Sequence, residues 1–219
     1  MYVACAIDFS PSSLDALRFA AKLAAASRGR VMLVAVDDAR AGDDVVTPAA
    51  EREAELARAL GAEVSSIVVV RGDPADRIVA AARDAGADVV VMGAHGRTTA
   101  ARASPGVGRV AERVAATSPV PVLIVRDAAS LCAWLEDTPP LRVLLAASLE
   151  PSIEAARDFV VQLCAIDPCD VTALHVSFPP EMWALLNVRW PATVLTDPSV
   201  ATAFRGAHKA RAVLERALA

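Results

Sequence analysis

Apolar and polar positions divide the first part of the chain into short apolar runs separated by longer amphipathic stretches. Residues 2–7, 31–36, 64–70, 89–92 and 122–125 carry no polar alternation, so each suits a strand covered on both faces. Between them the helix signals recur. Ser10 with Pro11 predicts an N-cap and first-turn proline for a helix running to about Ser27 and ending near Gly29. A polar stretch, 37–44, follows the second run. Thr47 with Pro48 then predicts the start of a helix whose Glu51, Arg52, Glu53, Glu55 and Arg58 form a wet face around Leu56 and Leu60. Gly72-Asp73-Pro74 repeats the cap pattern, with Asp76 placed as a capping-box acid, and that helix ends near Gly86. A fourth helix covers 110–116. Strands and helices in this alternation predict a parallel sheet with right-handed crossovers.

Beyond Arg126 the pattern changes. Residues 128–140 read as a linker, with a short helical turn at 130–135, closed by Thr138-Pro139-Pro140. A strand at 141–148, a Glu150-Pro151-Ser152 turn, an amphipathic helix to about Ala165 and a strand at 171–176 follow, and a last helix spans 201–218. Strand, Pro-Ser turn and helix with Ala-x-Arg (Ala16 and Arg18; Ala155 and Arg157) recur about 140 residues apart, the grammar of tandem duplication. Ser148 falls near the position of Asp8, and nothing repeats the third to fifth strands. The expected division is therefore a domain at 1–127, a linker at 128–140 and a partial second repeat at 141–219.

The stretch 87–126 carries the candidate chemistry. Its apolar run ends at Gly93, where an open α/β sheet places ligands and the next helix offers free N–H groups to an anion. Gly93 and Gly96 permit close backbone approach, and Gly106 or Gly108 precedes the helix. GAHGR, a spacer, a glycine, VAERV and SPVPVLIVR together resemble the C-terminal half of a universal stress protein domain. The resemblance implies an open five-stranded parallel sheet of order 3-2-1-4-5 with helices on both faces, so that Asp8 and Gly93 open into one crevice. It also implies a Gly-x2-Gly-x9-Gly-Ser/Thr motif that carries the phosphates of ATP in members that bind it. Gly93, Gly96 and Gly106 fit that spacing with Val107 at the hydroxyl position; setting the register on VAERV instead makes Gly108 the last glycine and Arg109 its neighbour. Neither register supplies the hydroxyl.

The resemblance thus nominates Asp8, Phe9, Ser10, Val36, Met92, Gly93, His95, Gly96, Arg97, Gly106, Val107, Gly108 and Arg109 as nucleotide-binding, with ATP as ligand and room for Mg2+ beside it. Asp8 reads equally as a helix cap, and Val36 equally as a core residue. Arg97, Arg102 and Arg109 suit bidentate phosphate binding in place of the hydroxyl, or a solvated surface. His95 sits in the loop as in many relatives, where it is not catalytic. His175 and His208 are isolated, and no metal spacing links the three histidines.

Composition narrows the classes. The 219 residues leave room for one large or two small domains, and 55% hydrophobic content with 4% aromatics predicts a core of Ala, Val and Leu. A net charge of −4 gives no global pull toward nucleic acid or an anionic membrane. The N-terminus lacks a basic region ahead of an apolar stretch, and a soluble cytoplasmic protein is expected. Cys5, Cys132, Cys164 and Cys169 form no CxxC and read mostly as buried thiols. There is no GxSxG, HExxH or Walker A sequence, and DFSPSS stands where a dinucleotide fold would carry its glycines. The expected function is a stress-response module that binds an adenine nucleotide. The alternatives are a module acting through protein contacts, as a homodimer or with a partner chain at the apolar edge Val122–Val125, and slow ATP hydrolysis.

Overall fold

The computed structural model describes residues 1–37, 43–96, 106–136, 139–146 and 152–174, in two units, Met1–Pro139 and Pro140–Ala219. The first runs β1 (Tyr2–Ile7), α1 (Pro11–Ala26), β2 (Arg30–Asp37), α2 (Asp43–Ala59), β3 (Glu63–Arg71), α3 (Pro74–Ala85), β4 (Val89–Gly93), α4 (Arg109–Thr117), β5 (Val122–Val125) and α5 (Ala128–Trp134). The five strands form one parallel sheet of order β3-β2-β1-β4-β5, as anticipated. Successive crossovers run outward from β1 in one direction and from β4 in the other, so the topology switches between those two strands.

The unbroken apolar runs are explained by cover on both faces. Ala4, Ala6, Met32, Val34, Val90 and Met92 form one cluster with Ile78 and Ala82 of α3 and Ala111 and Val114 of α4. The intervening Val3, Cys5, Val31, Leu33, Val89 and Val91 are fully buried on the opposite face, where α1 and α2 pack. On α1, Ala16, Ala20, Ala21 and Ala24 are fully buried, and their small side chains let the helix lie close to the sheet.

The caps follow the sequence closely. Ser10 caps α1, its hydroxyl accepting from the Ser13 N–H at 3.1 Å. Asp73 caps α3, accepting from Ala75 and Asp76. Asp76 does not close the expected capping box: its carboxylate accepts from Arg113 of α4 at 2.6 Å instead, and Asp73 from the same guanidinium at 2.9 Å, so the two acids tie α3 to α4.

Three boundaries differ from expectation. α2 begins at Asp43, with Pro48 inside the helix and Thr47 within it instead of capping it. A proline near a helix start forfeits only one internal bond, and the buried Val46 rewards the extra turn. β2 extends through Asp37, which is buried and paired with Arg71 of β3 at 3.5 Å; the two are partners in the strand register. In the stretch read as a linker, α5 packs on α1, with Trp134 only 2% exposed and Glu136 bonded to Lys22 of α1. The short helical turn expected at 130–135 is thus a helix from Ala128, and the burial of its tryptophan docks it.

The second unit contains β6 (Leu141–Ala146), α6 (Ser152–Cys164) and β7 (Cys169–Leu174), with β6 and β7 parallel and Leu141 opposite Cys169. Burial alternates along both strands, and Leu144 and Leu174 are exposed. Cys5 is buried, whereas Cys132, Cys164 and Cys169 are half-buried, which corrects the reading of the thiols as mostly buried. The helix read at 201–218, together with Ser148, His175 and His208, lies outside the described residues.

Candidate functional site

The crevice is built by the turn that carries β1 into α1. Asp8 follows the strand and its carboxylate accepts from the Ser10 N–H at 3.1 Å. Phe9 between them has φ 64°, a left-handed conformation that a side-chain-bearing residue adopts at some cost. The turn is sharp because Ser10 must face the helix it caps and Pro11 fixes the first helical φ. Asp8 therefore does not cap α1 itself; it holds the turn and keeps a half-buried carboxylate at the sheet's C-terminal edge.

Opposite it, β4 pairs with β1 through Met92 against Ala6 and ends at Gly93. A Cβ on Gly93 would stand 2.6 Å from Ser12 Oγ and 2.7 Å from the Ser12 carbonyl group, so only glycine lets α1 approach β4 here. The His95 N–H donates to Ser12 Oγ at 3.4 Å, and Gly96 lies against Asp8, a Cβ there standing 3.0 Å from Oδ2. The segment after β4 is thus draped over the start of α1, and Asp8 and the glycines meet at the topological switch.

The far wall is the start of α4. Gly108 occupies its N-cap, donates its N–H to the Ala94 carbonyl at 2.8 Å, and offers no side-chain cap. Arg109 is the first helical residue and is exposed; Gly106 is exposed and Val107 half-buried against the α3–α4 core. Of the two glycine registers, the one with Gly108 before the helix matches this placement. Arg97 and Arg102 lie outside the described residues. Val36 and Met92 both pack into the α3–α4 side of the core, Met92 buried and Val36 partly open.

A polar cavity of about 320 Å³ lies between α1 and the end of the sheet, lined by Ser10, Ser12, Asp15, His95, Gly96 and Arg126. His95 Nδ1 is buried there without a hydrogen-bond partner among the described residues. Hydroxyls, an imidazole and a guanidinium together suit a ligand rich in hydrogen-bonding oxygen.

Sequence reasoning missed Glu53. It was read as part of the wet face of α2, and Glu51, Arg52, Glu55 and Arg58 are indeed on the outer side. Glu53 instead is half-buried, with Oε2 buried and no hydrogen-bond partner among the described residues. Burial pushes its acid from 4.5 up to about 7, and the charge of nearby Asp8 adds to the shift. The signal was present: Val46, Ala50, Glu53 and Ala57 follow the helical three-and-four spacing, and the other three are buried.

The model of the Universal stress protein family matches residues 1–126. The chain belongs to the universal stress protein family. A universal stress protein of Methanocaldococcus jannaschii is 40% identical over 67 residues, 31% of this chain and 40% of that protein, so the match spans well under half the length of this curated relative. The crystal structure of a universal stress protein in complex with cAMP is 31% identical and covers 57% of this chain and 96% of that one, with a TM-score of 0.49. A universal stress protein from Archaeoglobus fulgidus DSM 4304 shares the fold at 19% identity and a TM-score of 0.63, covering 84% of this chain and 71% of that one. Among the described residues of this universal stress protein no helix is long and apolar enough to cross a membrane, and no group of three acidic, histidine or cysteine residues is placed to hold a metal ion.

Proposed function

We propose that this universal stress protein binds an adenine nucleotide, ATP, in the crevice between β1 and β4. The observation that carries the reading is the polarity of the crevice. One end carries the carboxylate of Asp8, with the Glu53 carboxyl of α2 near enough behind it for the Asp8 charge to act on it, and the other end carries the open N-terminus of α4 with Gly108 and Arg109. Phosphates are repelled by the first end and attracted to the second, where free N–H groups and a guanidinium gather. The hydroxyls and exocyclic amine of adenosine are donors, and they match carboxylate acceptors. The nucleoside therefore lies toward Asp8 and the phosphates toward Arg109, which takes over the part played by a Ser/Thr hydroxyl. Mg2+ accompanies the triphosphate in this reading, bound mainly by phosphate oxygens.

Calorimetry with ATP and with adenosine tests the orientation. Arg109→Ala is expected to weaken ATP about tenfold, the loss of roughly 1.4 kcal/mol, while leaving adenosine unchanged; Asp8→Ala weakens both. Absence of ATP and ADP binding at millimolar concentration overturns the proposal. Phosphate release from wild type compared with Asp8→Ala reports whether any hydrolysis accompanies binding.

A second reading is favoured by β5. It is the outer strand of the sheet, and Val122, Leu123 and Ile124 are only half-buried. An uncovered apolar edge recruits another chain, and a homodimer through Val122–Val125 follows. Light scattering that gives a monomer mass at every concentration removes it. We read the second unit as a partial repeat, supported by its β6–α6–β7 crossover, which is parallel as β1–α1–β2 is.

A further inference from the structure

Burial divides the two-stranded sheet of the second unit into a covered and an open face. Leu141, Val143 and Leu145 of β6 share one face with their register partners Cys169, Val171 and Ala173 of β7, and all six are half-buried or buried. Arg142, Leu144 and Ala146 share the other with Asp170, Thr172 and Leu174, and all six are exposed, Leu144 at 63% and Leu174 at 46%. A single crossover helix covers one face of the strands it joins, and Leu163 of α6 is buried. Parallel strands, however, are stable when both faces are covered. The first unit shows this within the same chain. There α1 lies on one face of β1 and β2, and the other face is closed by α3 and α4, which come from the chain beyond β2.

The chain beyond β7 lies outside the described residues, and its sequence carries a surface that matches the open face. At helical spacing Phe204, Ala207, Ala210, Leu214, Ala217 and Leu218 fall on one side, and Arg205, His208, Lys209, Glu215 and Arg216 on the other. We propose that the helix written at 204–218 closes the open face of β6 and β7, its central Ala210 lying over Leu144. The dimensions agree. Such a helix is about 21 Å long and about 10 Å across, and two six-residue strands present a face about 20 Å long and about 10 Å wide. That face measures about 200 Å², whereas a stable association of separate chains needs about 800 Å² per partner. A segment of the same chain is instead held beside the face at high effective concentration. Roughly thirty residues join Leu174 to Phe204, enough to span the sheet in either direction. Arg142 and Asp170 stand opposite each other in register and offset each other's charge at one end, which leaves Leu144, Ala146 and Leu174 as the apolar seat. The alanines of the stripe admit those leucines, as the alanines of α1 admit the first sheet.

A photoreactive benzophenone amino acid in place of Leu144, in the full chain, tests the placement. Irradiation is expected to join position 144 to residues 204–218, and in a mixture of isotopically light and heavy chains every product should be light with light or heavy with heavy. Mixed products, which mean that a second copy covers the face, cross-links only to residues outside 204–218, or no cross-link at all overturn the proposal. Amide exchange supplies the second measurement. Leu214→Asp should speed exchange in β6 and β7 about tenfold or more while β1 to β5 keep their wild-type rates. His208→Asp, which sets the same acid on the opposite side of the helix, should change neither. Equal effects from the two substitutions, or no effect of Leu214→Asp, would show that the stripe covers nothing.

Discussion

Glu53 supplies a prediction that can be worked through. Its acid is displaced from 4.5 to about 7 by burial and by the charge of Asp8. A displacement of that size corresponds to ~3 kcal/mol between the protonated and ionised forms. Glu53 is only half-buried, and solvent screening reduces the figure to roughly 1–2 kcal/mol. The direction follows from linkage. The folded chain holds the Glu53 proton where the unfolded chain has released it, so this contribution to stability is complete below pH 4.5, is lost as pH rises through about 7, and is flat beyond. Glu53→Gln keeps the site neutral at every pH. Denaturant unfolding of both proteins should therefore show no difference near pH 4.5 and a variant more stable by ~1–2 kcal/mol at pH 8. Asp8 and Cys5, the titratable groups that share its environment, are present in both proteins and cancel to first order. A difference that stays constant over this range refutes the argument, as does a carbon-13 titration of the Glu53 carboxyl with its midpoint at the ordinary glutamate value. The same titration ties the residue to the ligand: with a nucleoside seated beside Asp8, the midpoint should move.

Two further outcomes test how the crevice is held. Trp134→Ala removes the one large aromatic of α5, which is 2% exposed, and should cost ~3–5 kcal/mol in thermal or denaturant unfolding; a loss below ~1 kcal/mol would mean that α5 is not anchored by it. Gly93→Ala places a Cβ within 2.7 Å of the Ser12 carbonyl group, a backbone contact that cannot swing aside, and should cost ~1–3 kcal/mol. A melting curve like that of the wild type would show that α1 does not lie as close to β4 as the structure has it.

Most of the sheet could be read from the chain because its strands are covered on both faces, which writes them as unbroken apolar runs between capped helices. The strand order came from family resemblance, since alternation alone fixes parallel pairing and handedness but not which strand adds where. Elements whose stabilisation comes from one contact were harder to read. The helix that Trp134 anchors was legible only as a short turn in a linker, and Asp37 lengthens β2 because Arg71 stands in register beside it. The register of the glycine loop was likewise not a matter of counting: the motif spacing selects Gly106 and the VAERV segment selects Gly108, and it is Gly108 that stands at the N-cap of α4.

Glu53, Cys164 and Cys169 show one further limit on reading residue types alone. Each was assigned by its usual preference, acid outside and free thiol inside, and in each the geometry reversed the assignment. Glu53 occupies an inward position of the α2 stripe, and Cys164 and Cys169, on either side of the turn after α6, are half-buried. A polar or reactive side chain kept where its type is disfavoured has a steady cost to the fold. Such positions are where function is best sought, and in this chain Glu53, within reach of the Asp8 charge, points to the Asp8 end of the crevice.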